Sequence, residues 1–341
     1  MKKNTMHPAK KVLVLGATGT MGQYLVPKLL DRGYAVDAVA LDEITMTAPN
    51  LRGIKGNAKD WQLLEQLWEN HYDGIVDFMI YPTADAFLYL PEMLKHTEHY
   101  IYLSSYRVYD NKEVPVRETS PRLLDTADDR LLRNSDDYSI YKARGENILL
   151  NSGRKNWTAV RPAITYSLGR YQLVTLEANR TVGRAMQGKS VVLPEQAAEV
   201  PATMSWGGDV AEMIARLLFN AEALEEIYTV STAEHHTWRE IADYYKELCN
   251  LNAVWVDKED FLKAITRNPH FPRNRWQLEY DRLFPRIIDN TKVLDATGLK
   301  QADLMKLYDG LKYEIGRFVL PPEWIGTDDP MDVYLAGRGM K

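Results

Sequence analysis

The 341-residue chain has one cysteine, Cys249, so an intramolecular disulfide, a multi-cysteine metal site and a CxxC redox pair are all excluded. A reducing compartment suits such a chain. No stretch reaches the roughly 18 uninterrupted apolar residues of a membrane span. The opening run VLVL at 12–15 is also much shorter than a signal-peptide core of about 7 to 15 residues. The expectation is a cytoplasmic protein with no membrane partner. Excess positive charge is lacking too, because 42 Lys and Arg face 47 Asp and Glu for a formal net charge of −5. Phosphate backbones call for a basic face, so nucleic acid is not the expected partner. Tandem repeats and low-complexity tracts are missing. The histidines are few, and His96 and His99 straddle a helix end and a strand start, so no metal site is expected.

What is present is an ordinary globular composition, 45% hydrophobic and 26% charged. The length exceeds the about 250 to 300 residues that one core usually supports, which predicts two lobes. Residues 12–22 read VLVLGATGTMG, an apolar strand running into glycines three apart. Gly16 suits a tight turn, Gly19 a close approach of phosphate to backbone, and Gly22 the packing of helix on strand. QYLVPKLLD at 23–31 has helical spacing, Gly33 is a stop signal, and AVDAVAL is a second strand. The segment Gly16, Thr18, Gly19, Thr20, Met21 and Gly22 is therefore the expected cradle of a dinucleotide pyrophosphate at a helix N-terminus.

Alternation continues, with helices at 60–71, 83–97 and 134–151 and strands at 74–80, 99–105 and 157–166. This predicts an α/β fold, a Rossmann-type doubly wound parallel sheet with a smaller C-terminal substrate-binding lobe. The expected division is a nucleotide-binding domain over 1–166, completed by a helix and strand within 203–232, and a substrate lobe from 167–202 and 233–341. Helices are expected near 172–187 and 302–318, and the tail beyond Pro321 reads as an arm. Arg267, Phe271, Arg273, Arg275 and Trp276 interleave charge with aromatics, which reads as a solvated loop in preference to a strand-binding surface.

In DDYSIYKARGEN, Tyr138 and Lys142 stand four apart on one helix face. A phenol beside an ammonium gives up its proton more readily, so Tyr138 is a candidate general base. Ser105 ends the strand HYIYLSS, where the crevice of such a sheet opens. With GATGTMG, SSYRVY, the YxxxK pair followed by Glu146, and then VRPAITY, GGDVA and IDNTKVLDATGL, the chain resembles the extended short-chain dehydrogenase/reductase family, which includes NAD-dependent sugar-nucleotide epimerases and dehydratases. The likeness runs to about residue 318. It implies Ser105, Tyr138 and Lys142 as the catalytic set, with Tyr138 and Lys142 also touching the cofactor. Ser105 is selected over Ser104 by its spacing to the VY pair.

The resemblance implies NAD, with NADP as the alternative. Ala40 stands where family members often carry the ribose-binding aspartate, and Asp42 is the candidate replacement. Asn57 matches a position that contacts adenine. On the substrate side, Ala163, Ile164 and Thr165 replace the asparagine common in sugar-nucleotide enzymes. Arg170, Arg180 and Arg184 are candidate diphosphate clamps. The implied function is an NAD(P)-dependent epimerase, dehydratase or dehydrogenase acting at a hydroxyl or carbonyl carbon, with a homodimer as the implied assembly. Two alternatives stand beside it: a non-catalytic or RNA-binding regulator, and an NADP-dependent carbonyl reductase.

Overall fold

A computed structural model describes residues 9–266 and 272–339 of the chain. Its centre is a parallel sheet whose strands are apolar because both faces are covered. The first six strands are β1 (Lys11–Leu15), β2 (Ala35–Ala40), β3 (Leu51–Lys55), β4 (Tyr72–Asp77), β5 (Thr97–Leu103) and β6 (Trp157–Val160). Strand Glu226–Tyr228 completes a seven-stranded sheet next to β6, so the order runs from it through β6, β5, β4, β1 and β2 to β3. β1 pairs with β2 on one side and β4 on the other. The direction of winding therefore reverses between β1 and β4, and the crevice that this leaves at their carboxyl ends is where ligands of such sheets sit.

Helices seal both faces. Helix α1 (Gly22–Asp31) buries Leu25, Val26 and Leu29, and packs with helix Gly207–Leu217 over one face. On the other face, α2 (Trp61–Trp68) and α3 (Thr83–Lys95) contribute Leu64, Leu67, Leu90 and Met93 to a second core. Asp60 caps α2 by accepting from Gln62 N at 2.9 Å, and Asp137 caps helix Tyr138–Leu150 by accepting from Ser139 N at 3.0 Å. A third core, including Val191, Trp238, Ile241, Tyr245, Phe261 and Leu311, builds the lobe beyond the sheet.

Several elements depart from the sequence-based expectation. WTAVRPAITY is not one strand: β6 ends at Val160, and Ile164–Tyr166 pairs separately with Met204–Trp206. Pro162 has no N–H for a ladder, and Arg161 swings its side chain to Glu146. The expected helix at 172–187 is only a 3-10 turn at Ala178–Arg180 and a short helix at Val182–Met186. Val174 is left-handed with φ 53°, and Leu173 bridges Leu176, which stops a helix there. β3 is not predicted by the apolar pattern, because LRGIK is a half-exposed edge strand with little apolar signal. The tail is not a free arm. Helix Pro330–Ala336 buries Met331 and Leu335 and packs on helix Lys258–Ile265. Part of the arginine-rich stretch, 267–271, lies outside the described residues; within the rest, Arg275 pairs with Glu259 at 2.6 Å and Glu279 at 3.0 Å.

The crossing of α1 over the end of β1 leaves no room for a side chain at Gly22, where a Cβ would overlap the Gly16 carbonyl and come within 2.6 Å of the Ala17 oxygen. Gly22→Ala is expected to destabilise the protein by about 1–3 kcal/mol, the usual range for overpacking. An unchanged urea midpoint would show that helix and loop move apart freely.

Candidate active site

Everything at the crevice follows from where strands stop. After β1, Gly16 turns the chain with φ +84°, and the Gly16 and Ala17 N–H groups donate to Val39 O at 2.9 and 3.0 Å. The loop therefore lies flat across the end of β2 and presents backbone from Gly16 to Gly22 to a cavity of about 520 Å³. That volume is in the range of small-molecule sites. The cavity runs past Asp42 and Asn57 at one end and over Phe78, Met79 and Ile80, which follow β4. It then reaches Ser105 and Tyr138, and its far end is walled by Ala163, Ile164, Thr165 and the lobe residues Arg170, Gln172, Glu177, Gln277 and Arg282.

At the first end Thr18 Oγ1 lies 3.5 Å from Asp42 Oδ2, and Asn57 Oδ1 accepts from Lys59 N at 3.0 Å in a local turn. These groups, with the bare backbone at Gly16 and Gly19, offer what a dinucleotide needs: amides for a pyrophosphate and a carboxylate for ribose hydroxyls. A Cβ on Gly19 would meet Gly16 O at 3.3 Å, so a side chain there would narrow the cradle.

At the centre the two serines divide. Ser104 is fully buried, and its Oγ donates to Glu146 Oε1 at 2.5 Å, away from the cavity. Ser105 faces the cavity, and its Oγ accepts from Arg107 N at 3.2 Å, capping the 3-10 turn Tyr106–Val108. Glu146 is also gripped by Arg161 at 2.7 and 2.8 Å and by Arg122 at 3.0 Å. Burial alone would push its carboxyl up; Arg161, Ser104 and Arg122 reverse that and hold it below the usual range.

Lys142 lies behind Tyr138, fully buried, with Nζ 5.8 Å from the Tyr138 ring centroid. The ammonium donates to Leu103 O at 2.5 Å and to Met79 O at 3.4 Å. Burial lowers it to about 8, against the pull of Asp77 and Glu146. Asp77 in turn accepts from Met79 N at 2.9 Å and Tyr100 Oη at 2.8 Å, and burial raises its own carboxyl. Helical spacing thus brings a phenol and an ammonium together, and the segment just past β5 adds a hydroxyl to the same cavity. Such a set can accept, donate and stabilise a proton on a bound oxygen.

Of the three arginines suggested by the sequence, Arg170 lines the cavity. Arg180 and Arg184 are used elsewhere. Arg180 bonds Asp329 at 3.0 Å and Ile265 O at 2.7 Å, while buried Arg184 holds Ser190 O at 2.8 Å and Asp332 at 2.7 Å. They anchor the C-terminal helix, whose packing the sequence pattern did not disclose. The charged and amide lining residues that the sequence pattern did not single out number five: Arg107, Gln172, Glu177, Gln277 and Arg282. Arg107 was visible inside SSYRVY; the other four sit in irregular or separate lobe segments with no pattern to single them out.

The model of the NAD-dependent epimerase/dehydratase family matches residues 12–231. The chain belongs to that family. Its fold is similar to that of UDP-glucose 4-epimerase from Thermus thermophilus, solved as a complex with NAD, at a TM-score of 0.66 and 20% identity over 90% of this chain and 98% of that one. The NAD complex of dTDP-glucose 4,6-dehydratase from Bacillus anthracis gives a TM-score of 0.68 and 18% identity over 90% and 96% of the two chains. UDP-glucose 4-epimerase from Thermotoga maritima, solved with UDP-glucose, gives 0.65 and 18% over 90% and 97%. Among the described residues, no helix is long and apolar enough to cross a membrane.

A lysine whose folded value is about 8 against the ordinary 10.5 opposes folding below pH 8, and the penalty is relieved as pH rises from 8 towards 10.5. Relative to Lys142→Met, the wild type is therefore expected to gain about 1–3 kcal/mol of stability as pH rises from 8 towards 10.5. Urea midpoints of both proteins across that pH range check this, and a pH-independent difference would contradict it.

Proposed function

We propose that this chain is an NAD-dependent enzyme acting at a hydroxyl-bearing carbon of a sugar nucleotide or a related substrate, with epimerisation or dehydration as the net reaction. The observation that carries the reading is one continuous cavity that holds the glycine loop at one end and Ser105 with Tyr138 at its centre, backed by the buried Lys142 ammonium. Membership of the family and the likeness to NAD-bound epimerase and dehydratase folds support it.

The backbone at Gly16, Thr18, Gly19, Thr20, Met21 and Gly22 would hold the dinucleotide phosphates, Asp42 the adenosine ribose and Asn57 the adenine. When bound, NAD supplies a hydride acceptor that can return the hydride to the same carbon. Tyr138 takes the proton of the substrate hydroxyl and gives it back. Lys142 keeps positive charge behind the phenol and would contact the cofactor's second ribose, and Ser105 orients the reacting oxygen. Of the arginines, Arg170 is the one that we keep as a phosphate contact, because it borders the cavity. The side of the cavity formed by Asp42, with Leu41 before it, carries no cation between Ala35 and Thr47, which favours NAD over NADP.

Mass spectrometry of nucleotides released on denaturation, followed by titration of NAD and NADP into the emptied protein, tests the cofactor. NAD tighter than NADP is expected, and binding of neither would overturn the reading. Turnover of UDP-glucose, UDP-galactose and dTDP-glucose tests the chemistry, with Tyr138→Phe losing about 10²–10⁴-fold, the usual scale for a general acid–base group. A variant that binds NAD and turns over at the wild-type rate would remove Tyr138 from the mechanism and favour a non-catalytic role for the site.

A further inference from the structure

Arg107 lies two residues beyond Ser105 and borders the cavity, with its guanidinium 5.1 Å from the centroid of the Tyr138 ring. Only 12% of its side chain is exposed. Yet its donors are hardly used. It makes two ion pairs, each at 3.5 Å, to Asp137 and Asp281, and its Nε is buried without a hydrogen-bond partner. Among the described residues its guanidinium makes no hydrogen bond. A guanidinium carries five N–H donors, and leaving the one on Nε buried and unmet is costly.

Its neighbours show the contrast. Arg282 donates to Val174 O at 2.6 Å, to Tyr106 Oη, to Asp281 and to Gln172. Arg286 donates to Asp281 at 3.1 Å and to Tyr109 O at 3.0 Å. Both are committed to holding Asp281 and the turn after β5. Arg107 is the cation of this group that keeps its hydrogen-bonding capacity for something in the cavity.

Charge says what that something is. The three guanidinium groups of Arg107, Arg282 and Arg286 surround two carboxylates, Asp137 and Asp281, which leaves one positive charge over. Arg170, which also lines the cavity, is matched by Glu177 at 3.9 Å. A single negative charge balances the cluster, whereas the dianion of a terminal phosphate group would overshoot it. A planar fork of N–H groups also matches the two oxygens of a carboxylate.

We propose that the substrate carries a carboxylate near the carbon that reacts, and that Arg107 recognises it. The proposal rests on the reading that Ser105 and Tyr138 flank the reacting oxygen, because Arg107 sits against that same pair. It makes Arg107 a determinant of substrate choice: an acidic sugar is accepted in preference to its neutral counterpart.

The test uses the NAD-loaded protein and two probes that differ at one carbon, UDP-glucuronate and UDP-glucose, by calorimetric titration. The acidic sugar is expected to bind at least about tenfold tighter, in line with a charge-assisted hydrogen bond. Arg107→Met should abolish the preference, and Arg107→Lys should keep only part of it because the fork is lost. Unchanged NAD affinity in the variants shows that the fold is intact. Equal affinity for both probes in the wild type, or a preference that survives Arg107→Met, overturns the proposal while leaving the nucleotide-sugar reading in place. If neither UDP-sugar binds, the nucleotide-sugar reading fails. Free glucuronate against glucose by saturation-transfer NMR then decides the charge preference: a preference that depends on Arg107 supports it, and no preference overturns it.

Discussion

A buried ammonium is expensive, and this structure places one at the point where its sheet opens. Lys142 is sealed from solvent and held by the carbonyls of Leu103 and Met79, at the ends of β5 and just past β4. Those two contacts fix the floor of the cavity, because Met79 belongs to the segment that lines it and Leu103 leads directly to Ser104 and Ser105. Asp77 adds the third point by bonding the N–H of the same Met79 peptide. The arrangement carries its cost because desolvation is only partly offset by two carboxylates. Strain of this kind is characteristic of sites that act, and here it sits directly behind a cavity-facing phenol.

The surrounding framework keeps that centre in register. Glu146 takes Ser104, Arg122 and Arg161 together, which ties helix Tyr138–Leu150 to the ends of β5 and β6 and leaves Ser105 facing the cavity. The lobe is bound to the cofactor side by Glu314, which accepts from Tyr24 on α1 and from Trp206 Nε1 at 2.6 Å and pairs with Arg317 at 2.6 Å. Both networks are buried carboxylates satisfied by several donors, the condition under which burying charge is tolerated.

Much of the sheet was legible in the sequence, because buried parallel strands are apolar runs and the helices between them have a clear period. KKVLVLG, HYIYLSS and the stretch around Tyr138 could be read as strand, strand and helix, and their ends carry the candidate site. Legibility failed where tertiary contacts decide. Pro162 and the pull of Glu146 on Arg161 split what looked like one strand. Arg180 and Arg184 looked available until the C-terminal helix supplied Asp329 and Asp332. Gln172, Gln277 and Arg282 come from distant lobe segments, and only folding brings them to one wall.

The most direct test of the centre is a crystal structure of the NAD complex. The expected result is a cofactor that runs along the cavity with its adenosine end at Asp42 and Asn57 and its nicotinamide end against Tyr138 and Lys142. A nucleotide bound in the reverse direction, or outside the crevice between β1 and β4, would contradict the role given to the buried ammonium and to the phenol in front of it.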